Sequence, residues 1–144
     1  MSYRKGVAII ILSADSKHVL LGERRNYRGH WQIPQGGAEK GELPLQTLER
    51  ELLEEVGISL PPVLQQTHEY IRYIWPKDLF PDAKHLGQEH LYFVLDGSAI
   101  DVDKLQATEE LVSFKWMPLS EVLGLTLEWK REALEQALRA LKLL

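Results

Sequence analysis

The sequence predicts a mixed β-sheet with helices packed on it, an α/β or α+β sandwich. Three observations predict it. Short runs rich in β-branched and aromatic residues recur along the 144 residues. Two segments instead repeat leucines at spacings of three and four, the period of an amphipathic helix. The two kinds of segment are interleaved without a strict strand–helix–strand repeat.

In chain order, Val7 to Leu12 (VAIIIL) is β-branched and almost continuously apolar, which predicts a strand buried on both faces. Ser13 to His18 has turn chemistry, and Val19 to Arg24 reads as the hairpin partner. A polar loop with Arg24, Arg25 and Arg28 follows. WQIPQGG (Trp31 to Gly37) is expected to be extended in its middle and to end in a turn. A helix is predicted from Pro44, suited to a first turn, to Val56, with Gly57 as its C-terminal stop. Its expected apolar stripe is Leu45, Leu48, Leu52 and Val56, with Leu53 as a further anchor. His68 to Pro76 and Glu89 to Asp96 read as strands around a long loop. Leu111 to Leu119 is a late strand, and Leu127 to Leu143 is a second amphipathic helix.

The length suits one domain with a real core, and no repeat or linker divides residues 1–144. A net charge of −4 argues against a protein that grips long duplex nucleic acid by its phosphates. The absence of cysteine excludes disulfides and thiolate-bound zinc. The N-terminal apolar run is too short to span a bilayer, so no membrane partner is expected and a cytoplasmic location is the default. The five histidines are scattered without metal-ligand spacing.

The chemistry concentrates in the first helix. Glu51, Glu54 and Glu55 share one face at spacings of three and four, and Arg50 is the sole basic residue between Leu43 and Leu60. Like charges so placed repel, and hard divalent cations such as Mg²⁺ or Mn²⁺ relieve such repulsion through oxygen ligands. A solvated acidic face is the bland reading of these glutamates alone. The upstream GGAEKGE shifts the balance, because its glycines let Glu42 fold back towards the helix.

Gly36, Glu42, Arg50, Glu51, Leu52, Glu54, Glu55, Gly57 and Ile58 all match the pattern G-x5-E-x7-R-E-U-x-E-E-x-G-U, with U aliphatic. The stretch resembles the signature of the Nudix hydrolase family. That resemblance implies an α/β/α sandwich with a mixed sheet and a loop–helix–loop site for Mg²⁺ or Mn²⁺. It also implies hydrolysis of a nucleoside diphosphate linked to another group. Glu51, Glu54 and Glu55 would be metal ligands, or one of them the base instead. Gly36, Glu42, Arg50 and Gly57 would support the site, with a Glu42–Arg50 ion pair holding the loop on the helix. Cations that bridge phosphate oxygens, together with a carboxylate that accepts a proton, suit such a reaction.

The flanks resemble a branch of that family containing dinucleoside polyphosphate hydrolases and RNA 5′-pyrophosphohydrolases. The similar segments are WQIPQGG, YRKGVAII at Tyr3, YIRYIWPK at Tyr70, GQEHLYFVL at Gly87 and EELVSFKWM at Glu109, with Ala8 and Tyr70 departing from the usual glycine and tryptophan. Carried over, Glu110 becomes a further metal ligand or base. Arg4, Gln35, Gly37, Tyr73, Lys77 and Gln88 become substrate contacts. Trp75 and Phe80 are candidates to stack a base, or core aromatics. Arg25 and Arg28 read better as solvated loop residues. The expected reaction is asymmetric cleavage of diadenosine tetraphosphate to ATP and AMP, a preference resting on the acidic net charge. The alternatives are removal of pyrophosphate from 5′-triphosphorylated RNA and a non-catalytic nucleotide-binding module. The last is disfavoured because all the box carboxylates are present.

Overall fold

The computed structural model describes residues 2–144. Strand β1 (Tyr3–Leu12) is the spine. It pairs in parallel with β7 (Gly87–Asp96) and antiparallel with β2 (His18–Arg24) and β4 (Gln35–Gly37). Further out, β3 (Trp31–Gln32) and β8 (Leu111–Pro118) pair with β2, while β5 (Val63–Gln66) and β6 (Ile71–Ile74) pair with β7. One parallel pair among antiparallel ones makes the sheet mixed.

The unbroken apolar run of β1 is explained by two cores on opposite faces of the sheet. Val7, Ile9 and Ile11 pack with Leu48 and Leu52 of α1 (Pro44–Glu55) and with Val56 just after it. Ala8, Ile10 and Leu12 pack with Ala133, Leu134, Ala137 and Leu138 of α3 (Glu128–Ala140). Alternate residues of one strand therefore serve two helical layers, which is an α/β/α sandwich.

Helix α1 starts at the expected proline, and the Gln46 Oε1 accepts the Leu43 N–H at 2.8 Å. It stops at Gly57, whose φ of +77° a side chain rarely adopts. Its stripe is narrower than expected. Leu48, Leu52 and Val56 are buried, but Leu45 and Leu53 face solvent. The places they would have taken inside belong to Thr47, Glu51 and Glu55, so this helix buries polar groups at the edge of its apolar face.

Other boundaries shift for physical reasons. The end of WQIPQGG is strand β4 rather than a turn, because Gly36 and Gly37 pair with Val7 and Gly6. The strand expected over His68 to Pro76 is confined to Ile71–Ile74. Strand β5 is exposed at every residue and so lacks the alternation that marks a strand. The short α2 (Leu119–Leu125) and a 3₁₀ turn at Val102–Lys104 also lack a readable period, and the last helix is shorter than its leucine pattern.

Candidate active site

Strand β4 runs alongside α1 and brings Gly36 against the Glu51 side chain. A Cβ at Gly36 would collide with the Glu51 carboxyl group, and one at Gly37 would run into the Arg4 guanidinium. Both glycines are therefore places of close approach, not of turning.

Arg50 organises the acidic side. Its Nε donates to Glu42 Oε2 at 2.7 Å and its Nη2 donates to Glu42 Oε1 at 2.9 Å and to the Gly37 carbonyl at 2.8 Å. Its Nη1 donates to Glu51 Oε1 at 2.8 Å and to Glu54 Oε2 at 3.3 Å. The Glu42–Arg50 pair thus fastens the loop, the end of β4 and the helix together. The hydrogen bonds from Arg50 hold the Glu42 carboxyl at about 2, and Arg50 itself is raised by them. Glu55 lies deeper, where its Oε1 accepts the Gln35 N–H at 2.9 Å. Burial pushes Glu55 up to about 8, aided by Glu51 and Glu110, and burial also raises Glu51.

Glu51, Glu54, Glu55 and Glu110 line one open cleft of roughly 270 Å³ together with Arg4, Arg24, Gln32, Gln35, Gly36, Gly37 and Gln88. Among the described residues no three of these acids converge on one point at metal-binding distance, since Arg50 holds Glu51 and Glu54 and a backbone amide holds Glu55. The donor set nevertheless fits a hard divalent cation. It consists of carboxylate oxygens around a cleft with room for waters and phosphate oxygens, and the missing Cβ of Gly36 lets Glu51 lie at its floor.

The basic residues at and beside the cleft come from separate segments. Arg4 extends from β1. Arg24 ends β2, beside a register shift between Glu23 and Arg24, the kind of irregularity that re-aims a side chain. Lys130 of α3 lines the small cavity that shares Gln32 and Gln35 with the cleft. Burial lowers Lys130 to about 8, with Arg24 adding to the shift and Glu55 opposing it. The Gln32 Oε1 is buried without a partner. Sequence reading singled out neither Arg24 nor Gln32 nor Lys130 as site residues. Arg24 and Gln32 were in view only as parts of a loop and a strand, and Lys130 carries no local signal at all.

Tyr73 and Lys77 stand apart from the cleft's lining. Tyr73 is buried behind it, and its hydroxyl donates to Gln88 Oε1. Lys77 lies in the long loop around a separate hollow with Trp75 and Phe80. Those two aromatics stack on each other, with ring centroids 5.5 Å apart, and Phe80 meets Trp129 edge-on. Arg28 turns to Glu23, at 3.3 Å, and Arg25 donates to backbone carbonyls of the segment that carries Glu110.

The NUDIX domain pattern matches residues 2–139. The chain belongs to the Nudix family. An RNA pyrophosphohydrolase of Helicobacter pylori (strain G27) is 32% identical over 97% of this chain and 94% of its own length. The Escherichia coli dihydroneopterin triphosphate pyrophosphohydrolase superposes with a TM-score of 0.75 at 25% identity, covering 94% of this chain and 97% of that one. A Caenorhabditis elegans Ap4A hydrolase superposes with a TM-score of 0.67 at 22% identity, over 97% and 96% of the two chains, a likeness of fold. As a Nudix hydrolase the protein acts on phosphoanhydride bonds. Nudix hydrolases generally use divalent metals, and the cleft's oxygen donors agree with that. No helix among the described residues is long and apolar enough to cross a membrane.

Proposed function

We propose that the protein removes pyrophosphate from the 5′-triphosphate end of RNA, with Mg²⁺ or Mn²⁺ as its cation. The observation that carries this substrate is the Helicobacter pylori RNA pyrophosphohydrolase, which matches nearly end to end. It reverses the order of the two substrates expected from composition. The dinucleoside tetraphosphate reading has weaker support, because the worm Ap4A hydrolase resembles this chain in fold at 22% identity. Net charge averages the whole surface, whereas Arg4 and Arg24 line the cleft and Lys130 the small cavity that shares Gln32 and Gln35 with it. A 5′ end needs only such a local set of cations.

In this reading the phosphate chain lies between the two walls. Glu51, Glu55 and Glu110 would hold the divalent cation beside Glu54, and that cation would neutralise phosphate charge and make a water easier to deprotonate. Arg4, Arg24 and Lys130 draw the phosphates across the cleft and offset charge as the bond breaks. Gln35 and Gln88 fix its rim, and Tyr73 acts through Gln88. Glu54, the solvent-facing carboxylate of the helix, takes the proton of the attacking water. Gly36, Gly37, Glu42, Arg50 and Gly57 hold the frame.

A side-by-side product assay with Mg²⁺ tests the substrate. A 5′-triphosphorylated oligonucleotide should be converted to its 5′-monophosphate with a kcat/KM at least about tenfold above that for diadenosine tetraphosphate. The reverse ranking would return the assignment to the dinucleotide.

A further inference from the structure

We propose that Arg25 and Thr108 are positioning residues that fix Glu110 in the cleft near the acids of α1. This rests on the reading of Glu110 as a participant in the reaction. Glu110 lines the same cleft as Glu51, Glu54 and Glu55, yet it lies in an exposed bend outside any helix or strand. Its carboxylate takes no part in the hydrogen bonds and ion pairs that organise the helix glutamates. Its place is therefore set by its backbone.

That backbone is held from two sides. The Arg25 guanidinium donates through Nε to the Glu109 carbonyl at 3.1 Å and through Nη2 to the Thr108 carbonyl at 2.6 Å. The Arg25 N–H donates to the Glu110 carbonyl itself at 2.9 Å. Three successive carbonyls are thus gripped by one residue. Thr108 adds the link to α1. Its Oγ1 donates to the carbonyl of Glu55 at 3.0 Å and accepts the Leu111 N–H at 3.1 Å. The acid bend is tied to the end of β2 and to the last turn of α1, the two elements that carry Arg24 and Glu55. Glu110 is then presented to the cleft in a fixed relation to both walls.

The arrangement suits a carboxylate that must be near the others without being buried. A fourth acid packed into the helix face would add repulsion with no countercharge. Mounted on a braced bend, it stays exposed to water while lining the same cleft. Arg25 is suited to the task because a planar guanidinium spans two carbonyls, which a lysine cannot do.

A double-mutant cycle in the full chain tests the inference. It uses Arg25→Ala, Arg25→Lys, Thr108→Val, Glu110→Gln and the Arg25→Ala/Glu110→Gln pair. Turnover of 5′-triphosphorylated RNA is measured with Mg²⁺, and Mn²⁺ binding to metal-free protein is measured by electron paramagnetic resonance. Arg25→Ala should lower kcat about tenfold and weaken Mn²⁺ binding several-fold with KM nearly unchanged. Arg25→Lys should recover part of that loss, and Thr108→Val should lose about threefold. In the Glu110→Gln background, Arg25→Ala should cost nothing further in either readout. Equal losses in both backgrounds, no loss at all, or a rise in KM alone would overturn the inference while leaving the role of Glu110 standing. Unchanged turnover and Mn²⁺ binding in Glu110→Gln would overturn the reading of Glu110 itself, and the brace with it.

Discussion

The two walls of the cleft are built in opposite ways. The acidic wall comes from one continuous stretch, with Glu51, Glu54 and Glu55 on a single helix and Glu42, Arg50 and Gly36 within a short reach of them. The basic wall comes from β1 and the end of β2, with Lys130 of α3 in the small cavity beside it, and these elements are far apart in sequence. The acidic wall is cross-linked internally by Arg50, whereas Arg4, Arg24 and Lys130 meet only through the fold. The first kind of wall is the property of a motif, and the second is the property of a tertiary structure. Cation binding and bond cleavage should therefore fail with local changes to the helix. Substrate capture should erode gradually as scattered cations are removed.

The largest effect should come from the helix carboxylates. Glu54→Gln keeps size and exposure while removing charge. It should reduce turnover by about a thousandfold, with an unchanged circular dichroism spectrum. Near-normal activity would dissolve the distinction between the walls. Arg50→Lys should come next, since a single ammonium cannot serve Glu42, Glu51 and the Gly37 carbonyl together. A fall in Tm of roughly 5–10 °C is expected, together with a large loss of activity. An unaltered Tm would mean that the cross-link contributes little.

On the basic wall, Lys130→Met and Arg24→Ala should each raise KM about tenfold and change kcat much less. A collapse of kcat with KM unchanged would move either residue to the chemical step. The most diagnostic effect concerns pH. Glu55 sits at about 8 when folded, above its unfolded range. The folded metal-free protein thus retains a proton that the unfolded chain has released. Its stability from this group falls as pH rises from about 4.5 towards 8. A cation must displace that proton, so Mn²⁺ affinity should rise up to about tenfold per pH unit between pH 6 and 8 and then level off. Glu55→Gln should flatten the slope. A slope unchanged in that variant would assign the proton to another group.

The same contrast explains what could be read from the chain alone. The apolar β1, the helix beginning at Pro44 and its stop at Gly57 follow from local rules, and all three were legible. The Glu42–Arg50 pair was implied by the resemblance to the family signature, and the two side chains meet at 2.7 Å. The role of Gly36 and Gly37 was misread as turning because sequence cannot show what a missing Cβ makes room for. Leu45 and Leu53 looked like core because α1 gives inward positions to Thr47, Glu51 and Glu55, a choice made by the site and not by hydrophobicity. Arg24 and Lys130 could not be told from solvated side chains, since their meaning lies in residues distant along the chain. Tyr73 and Lys77 share one segment, yet the fold sends the first behind Gln88 and the second to a separate hollow.

The most direct measurement is anomalous diffraction at the manganese edge from crystals grown with Mn²⁺ and a 5′-triphosphorylated dinucleotide carrying a non-hydrolysable α–β bridge. The expected result is manganese density bounded by Glu51, Glu54 and Glu55, with Glu110 drawn towards it and the phosphates turned to Arg4, Arg24 and Lys130. Manganese at any other place, or phosphates bound away from those three cations, would contradict the two-walled site.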